Sequence, residues 1–313
     1  MNASENTHNA APAAEPGLSE AIRGGFATTA AFVAWGLLPV YWKALQDVPA
    51  LEILCHRIVW SLLFLTGLVA FSKNLEEIRQ GLAQRSMRLL LLASSLALCA
   101  NWLIYIWAVN TGHVLEASLG YFITPLVNVL LGMLFLGERL GQLQALAVTL
   151  AAVGVGYQIL LLGALPWISL GLALSFGTYG LLRKKAPISS TAGLFVETLF
   201  LGIPALGAIA LFESGGAGAL GTGTPLRLLL LAGSGIVTSV PLLLFTFGAR
   251  RMNLATVGIL QYVSPTISFC LGIFLFAEPF SAKRLVTFLF IWAALALYSA
   301  DAFSRAGRRQ QQR

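Results

Sequence analysis

Charge is scarce in this chain: Asp, Glu, Lys and Arg together make up 11% of 313 residues. Set against 57% hydrophobic residues and a mean hydropathy of +0.80, that scarcity excludes an ordinary soluble core of this size. The chain reads as an integral membrane protein, with the lipid bilayer as its first partner. Histidine and cysteine are scarcer still, three of each. Cys55, Cys99 and Cys270 lie singly inside apolar runs, so neither a disulfide nor a thiolate metal site is supported. His8, His56 and His113 are far apart and form no metal-ligand motif, so no metal or other cofactor is expected. A Walker loop, a nucleophile elbow and other hydrolytic signatures are absent, which argues against drive by ATP within the chain and against an enzyme.

What charge there is sits in short basic clusters between apolar runs. The net charge of +7 therefore reads as membrane topology, and no nucleic-acid partner is expected. Residues 1–22 mix Ala, Pro, Asn and Glu without period and are expected to be a disordered cytoplasmic tail. No basic stretch precedes a short apolar run with a cleavage site, so the first span is expected to remain. Ten apolar runs follow, at 24–44, 51–71, 87–109, 114–137, 141–162, 164–182, 192–212, 226–248, 254–277 and 284–302. With both termini cytoplasmic, the basic residues fall on the inner side except for Lys43, Arg57, Arg227, Lys283 and Arg284.

The run Ala117 to Glu138 returns as Val257 to Glu278. A step of 140 residues carries Thr124 to Ser264, Pro125 to Pro265, Gly132 to Gly272, Phe135 to Leu275 and Glu138 to Glu278 without a gap. A weaker echo joins Trp35-Gly36-Leu37-Leu38 to Tyr179-Gly180-Leu181-Leu182. The fold class is therefore an all-α membrane protein of ten transmembrane helices in two repeats of five, 23–162 and 163–302, followed by a basic cytoplasmic tail at 303–313. Five is odd, so the second repeat enters the membrane from the opposite side and the repeats are inverted. Such a pair sets a site near the midplane and gives alternating access by rocking.

Ionisable and polar groups within spans mark the candidate substrate site. Glu52 and His56 lie four apart on one face of the second span, with Arg57 about 100° round from His56. Glu197 stands alone in the seventh span, and Glu197 or His56 would carry a proton if transport is proton-coupled. Asn101, Trp102 and Tyr105 on the third span suit a cavity for a flat or amphiphilic solute. Tyr121 and Asn128 flank Pro125, Gln261 and Tyr262 flank Pro265, and both prolines are expected to kink their helices. Tyr179 completes the set. Lys43 and Trp107 suit the membrane interface, and Glu138 and Glu278 read as boundary residues beside Arg139 and beside Lys283 and Arg284.

Ala34-Trp35-Gly36-Leu37-Leu38-Pro39-Val40-Tyr41-Trp42-Lys43, followed by Val48 to Ser61, resembles the opening of RarD-type permeases of the EamA group, in the drug/metabolite transporter superfamily. Ser175 to Lys184 and Glu197-Thr198-Leu199 are similar to that family's middle signature, and the resemblance runs from about residue 22 to 302. It implies a ten-helix carrier of the bacterial inner membrane with two repeats, associated with chloramphenicol sensitivity or resistance. The expected function is secondary transport of a small metabolite or amphiphilic drug by alternating access, with a non-transporting sensor or scaffold on the same fold as the competing reading. Short loops and brief tails leave little room for a signalling domain. No feature of the sequence specifies an oligomeric state.

Overall fold

The computed structural model describes residues 18–72, 74–163, 166–216, 218–277 and 282–311. Residues 1–17 of the expected tail, Lys73, Glu278 and Arg313 lie outside the described residues. The described residues form helices and no strand: α1 (Leu18–Lys43), α2 (Ala50–Phe71), α3 (Asn74–Ala83), α4 (Arg85–Asn110), α5 (Val114–Leu136), α6 (Gln142–Leu162), α7 (Trp167–Lys185), α8 (Ser190–Ser214), α9 (Ala219–Thr222), α10 (Pro225–Ala249), α11 (Leu254–Gln261), α12 (Val263–Phe274) and α13 (Ala282–Gln311). Among the described residues nine spans, with α11 and α12 taken as one, are long and apolar enough to cross a membrane. The tenth is α7, whose last turn holds Arg183, Lys184 and Lys185 and so lowers its hydropathy.

Packing makes α7 equivalent to the apolar helix α1. Helix α4 packs on α7 as α10 packs on α1, and α5 packs on α7 as α11 and α12 pack on α1. In the same way α4 meets α8 as α10 meets α2, while α2 with α8, α5 with α11 and α6 with α13 each join a helix to its own counterpart. Exchanging the two halves returns the same set of neighbours, as an inverted pair of five-helix repeats requires. An even number of spans brings Leu18 and Gln311 to one end of the bundle, the terminal end.

Local chemistry sets several ends that hydropathy misses. Helix α1 is already formed at Leu18, inside the stretch expected to be disordered, where Glu20 accepts a hydrogen bond from Arg251 Nε at 2.6 Å. Helix α13 runs on to Gln311, through most of the expected tail. The ten-residue α3 has an amphipathic sequence too short and polar to register as a span, and it buries Ile78 against Met87, Leu91, Ile188 and Val196. The two prolines behave differently. Helix α5 runs unbroken through Pro125, held along α7 on one side and α11 on the other. Packing there outweighs a missing hydrogen bond worth about 1 kcal/mol. Around Pro265 the chain breaks at Tyr262, between α11 and α12.

Both copies of the long repeat end in a left-handed turn. Gly137 has φ 65°, and Ala277, which stands 140 positions on, has φ 53°. Glycine adopts that conformation freely, whereas a side chain there costs about 1 kcal/mol. Ala277→Gly is therefore expected to raise the thermal midpoint of the purified protein by a few degrees, read by tryptophan fluorescence on heating; an unchanged or lower midpoint would mean that the turn carries no strain.

Candidate functional site

Arg57 lies seven residues into α2, about 10 Å from the helix end opposite the termini at 1.5 Å per residue. Its guanidinium is framed by aromatic rings. The Cζ atom sits 4.8 Å from the Trp102 ring of α4 and 5.3 Å from the Trp42 ring of α1. Nε donates to the Thr238 hydroxyl of α10 at 3.1 Å. The Tyr105 and Tyr121 hydroxyls interact with each other and with the Arg57 charge, and their rings meet edge to face with centroids 6.3 Å apart. Both tyrosines point at a charge inside the bundle, yet Tyr105 is 40% and Tyr121 46% exposed. Side chains from α1, α2, α4, α5 and α10 thus meet around Arg57, with part of each phenol left uncovered by protein.

Aromatic rings, in place of an acid, offset the cost of burying Arg57. A cation at such depth costs about 2.5–3.5 kcal/mol on insertion scales, and each indole returns about 0.5–2 kcal/mol. No carboxylate is among its titratable neighbours, which are the two phenols. Among the described residues its two Nη amines have no hydrogen-bond partner. They are the donors that the group leaves unused.

The terminal end is tied shut. The turn at Gly137 folds Glu138 back over Gly132, whose missing side chain leaves room for the carboxylate. From there Glu138 accepts hydrogen bonds from the Leu254 and Ala255 amides, at 2.6 and 2.9 Å, at the start of α11, where the helix dipole favours an anion. Lys184 pairs with the same carboxylate at 3.4 Å and also donates to the Met252 carbonyl. Glu77 of α3 accepts from both the amide and the hydroxyl of Ser189 at 2.6 Å, at the start of α8. Between them lies a buried polar cluster. Arg183 and Glu197, both fully buried, pair at 3.5 Å, and Glu197 also accepts from Ser94 at 2.5 Å and from Tyr179 at 3.4 Å.

Of the residues expected at the site, the structure brings together Arg57, Trp102, Tyr105 and Tyr121. The others lie apart from that group. Glu52 accepts from the Ala219 amide at 2.6 Å and stands 3.8 Å from His56 Nε2, so this pair holds the outer loop at α9. Asn101 donates to the Leu172 carbonyl at 2.9 Å and to Ser175 at 3.1 Å, joining α4 to α7. Asn128 donates to Gln261 at 3.0 Å between α5 and α11. Tyr262 is buried and donates to the Phe122 carbonyl at 3.1 Å. Tyr179 and Glu197 belong to the terminal-end cluster. Glu197 has a charged partner there and is not the lone carboxylate of its span, and the partner of Glu138 is Lys184 in place of the adjacent Arg139. Sequence reasoning missed Trp42, Thr238, Ser94, Glu77 and the burial of Arg183. Carrying the sixth span three residues past 182 would have brought Arg183 into the bundle; nothing in the sequence singles out Thr238 or Ser94.

Known proteins place this chain in a clear context. A model of the EamA-like transporter family matches it twice, over residues 22–159 and 164–300. The chain is 48% identical to an uncharacterized transporter of Pseudomonas aeruginosa, over 90% of its own length and 94% of that protein's. It is 47% identical to the protein RarD of Escherichia coli K12, over 87% of this chain and 92% of that one. A protein of P. aeruginosa named chloramphenicol-sensitive protein RarD is 33% identical, over 93% and 98%. Among solved structures, one crystal structure superposes with a TM-score of 0.68 over 88% of this chain and 96% of the other; at 19% identity it speaks to the fold alone.

Proposed function

We propose, from the premise that this chain belongs to the EamA-like transporter family and is a RarD-type permease, that it is a secondary carrier moving a small organic solute by alternating access, with the Arg57 group as its binding site. It is a multi-pass bacterial membrane protein and a membrane transporter. The finer reading sets it in the inner membrane with both termini cytoplasmic, because Arg183, Lys184, Lys185, Arg250 and Arg251 gather at the terminal end. On that reading the structure is the outward-open state. The observation that supports the proposal is an arginine framed by aromatic rings and without an acidic neighbour toward one end, with the other end tied by Glu138 and Lys184. Chloramphenicol-like drugs, which are uncharged, enter only through the printed name of a relative and stand as the alternative to the anionic cargo argued below; outward movement is the proposed direction, and Glu197 or His56 is the proposed proton carrier.

Proteoliposomes assayed with a panel of labelled organic solutes, with and without a pH gradient, test the reading. Transport above protein-free vesicles that collapses in Arg57→Gln is expected. Folded protein that moves no solute under any ion gradient would overturn it.

Glu138 is the latch of the sealed end. Glu138→Ala removes a charged acceptor from two amides and from Lys184, a loss of about 2–3 kcal/mol at the closed interface. That is enough to shift a two-state population by about a hundredfold. Spin labels at Arg139→Cys and Asn253→Cys, both exposed, on a cysteine-free background should report one short distance in the parent and a second, longer one in Glu138→Ala. A single unchanged distance in the variant would remove Glu138 from the gating mechanism.

A further inference from the structure

The Arg57 group specifies a class of solute as well as a place for one. Resting on the carrier reading above, we propose that its occupant is a planar organic monoanion, an aromatic or conjugated carboxylate without an ammonium group.

Three features lead there. The first is charge. Arg57 contributes one positive charge, and the titratable groups around it are the Tyr105 and Tyr121 phenols. Of the acids toward that end, Glu52 is held by the Ala219 amide and His56, and Glu213 by the Leu220 and Gly221 amides; Glu116, whose Oε2 has no hydrogen-bond partner, stands five residues before Tyr121 and is not among the groups acting on the Arg57 charge. Lys43, at the outer end of α1, lies over the Phe276 ring at 4.3 Å. One negative charge balances the site. A dianion brings a second charge that only Lys43, drawn onto Phe276, could meet, and a zwitterion brings an ammonium with no carboxylate among the groups acting on the Arg57 charge. Both indoles already face the guanidinium, so they offer that ammonium little.

The second feature is direction. Trp42 and Trp102 hold the guanidinium through its π system and Thr238 takes its Nε donor, which leaves the Nη edge. Two parallel N–H bonds from that edge fit a carboxylate lying in the guanidinium plane. The third is the wall. Two indoles and two phenols supply flat apolar surface beside the fork, and the phenol hydroxyls can donate to the same carboxylate.

The test uses the purified full-length protein in lipid nanodiscs with three probes of similar size: benzoate, its neutral isostere benzamide, and the zwitterion phenylalanine. Benzoate at millimolar concentration is expected to raise the thermal midpoint, and the other two to leave it unchanged at the same concentration. Arg57→Gln should weaken benzoate binding by about tenfold or more, measured by quenching of tryptophan fluorescence. Arg57→Lys keeps the charge and loses the planar fork, so it should bind benzoate more weakly than the parent and still reject benzamide. The thermal midpoint without ligand reports whether each variant is folded; if Arg57→Gln is not, the ranking of probes on the parent and on Arg57→Lys decides. Equal shifts from benzoate and benzamide, a larger shift from phenylalanine, no benzoate shift at all, or undiminished binding in folded Arg57→Gln would each overturn the proposal. The two readings fail separately. Vesicles that move a neutral or zwitterionic solute while benzoate does not bind would sink the solute class and leave the carrier; benzoate that binds through Arg57 with no solute moved would do the reverse.

Discussion

Glu197→Leu is expected to destabilise the protein by about 3–5 kcal/mol, the cost of removing one member of a buried ion pair. Arg183 and Glu197 are both fully buried, and the pair is already loosely made: Nε and Nη1 of Arg183 have no hydrogen-bond partner, and Nη2 reaches the Ser189 carbonyl only at 3.4 Å. Without the carboxylate, the guanidinium keeps its burial and loses its counter-charge. The Ser94 and Tyr179 hydroxyls lose an acceptor at the same time. A fall in thermal midpoint of many degrees, with a poor yield of monodisperse protein, is the expected reading. Adding Arg183→Met should recover most of the loss, since an apolar pair of similar volume carries no desolvation cost. A Glu197→Leu protein as stable as the parent would show that Arg183 is neutralised in some other way, and the account of the sealed end would need revision.

Gly235→Val is the second large effect, expected to cost at least about 1–3 kcal/mol through overpacking. Helix α10 meets α2 here with backbones nearly touching. A side chain on Gly235 would run into the Trp60 carbonyl and the Ser61 amide, and Ser61 donates to the Gly235 carbonyl at 3.1 Å across the same contact. Backbone cannot swing aside as a side chain end can, so the helices must separate. Membrane helices depend on such close approaches because lipid offers no hydrophobic drive for pairing them. The damage should reach the binding site, since Arg57 and Thr238 ride on these two helices. Gly207→Ala is the control: nothing lies within 4 Å of the new methyl, and alanine favours the helix, so the midpoint should hold or rise. Equal midpoints for Gly235→Val and Gly207→Ala would count against the close crossing.

Much of the fold is legible in the chain because membrane spans announce themselves by length and apolarity. The repeat at 140 residues announces the inversion, since an odd number of spans leaves no other arrangement. Position within a span is legible too, which is why Arg57 stands out. Partners are harder to read. Glu52, Arg57, Arg183 and Glu197 are four charges on three helices, and sequence distance does not say that Glu197 meets Arg183, that Glu52 meets an outer-loop amide, or that Arg57 meets no acid among the described residues. Asn101 and Asn128 resemble cavity residues by composition, yet each spends its amide on holding two helices together.

Apolar length and spacing along the chain specify the solvent of this protein, its helix count, the inversion of its halves and the arginine set deep in an outer half-span. Those properties follow from apolar length, periodicity and the local cost of charge, all of which are carried along the chain. Helix packing alone brings Trp42, Trp102, Tyr105, Tyr121 and Thr238 onto Arg57 from four other helices, and sets Glu138, Lys184 and the start of α11 across the terminal end. Helix rotation and crossing, set by where glycines let backbones approach, choose which faces meet. A side chain's partner across the bundle is a property of that packing, and no local pattern encodes it.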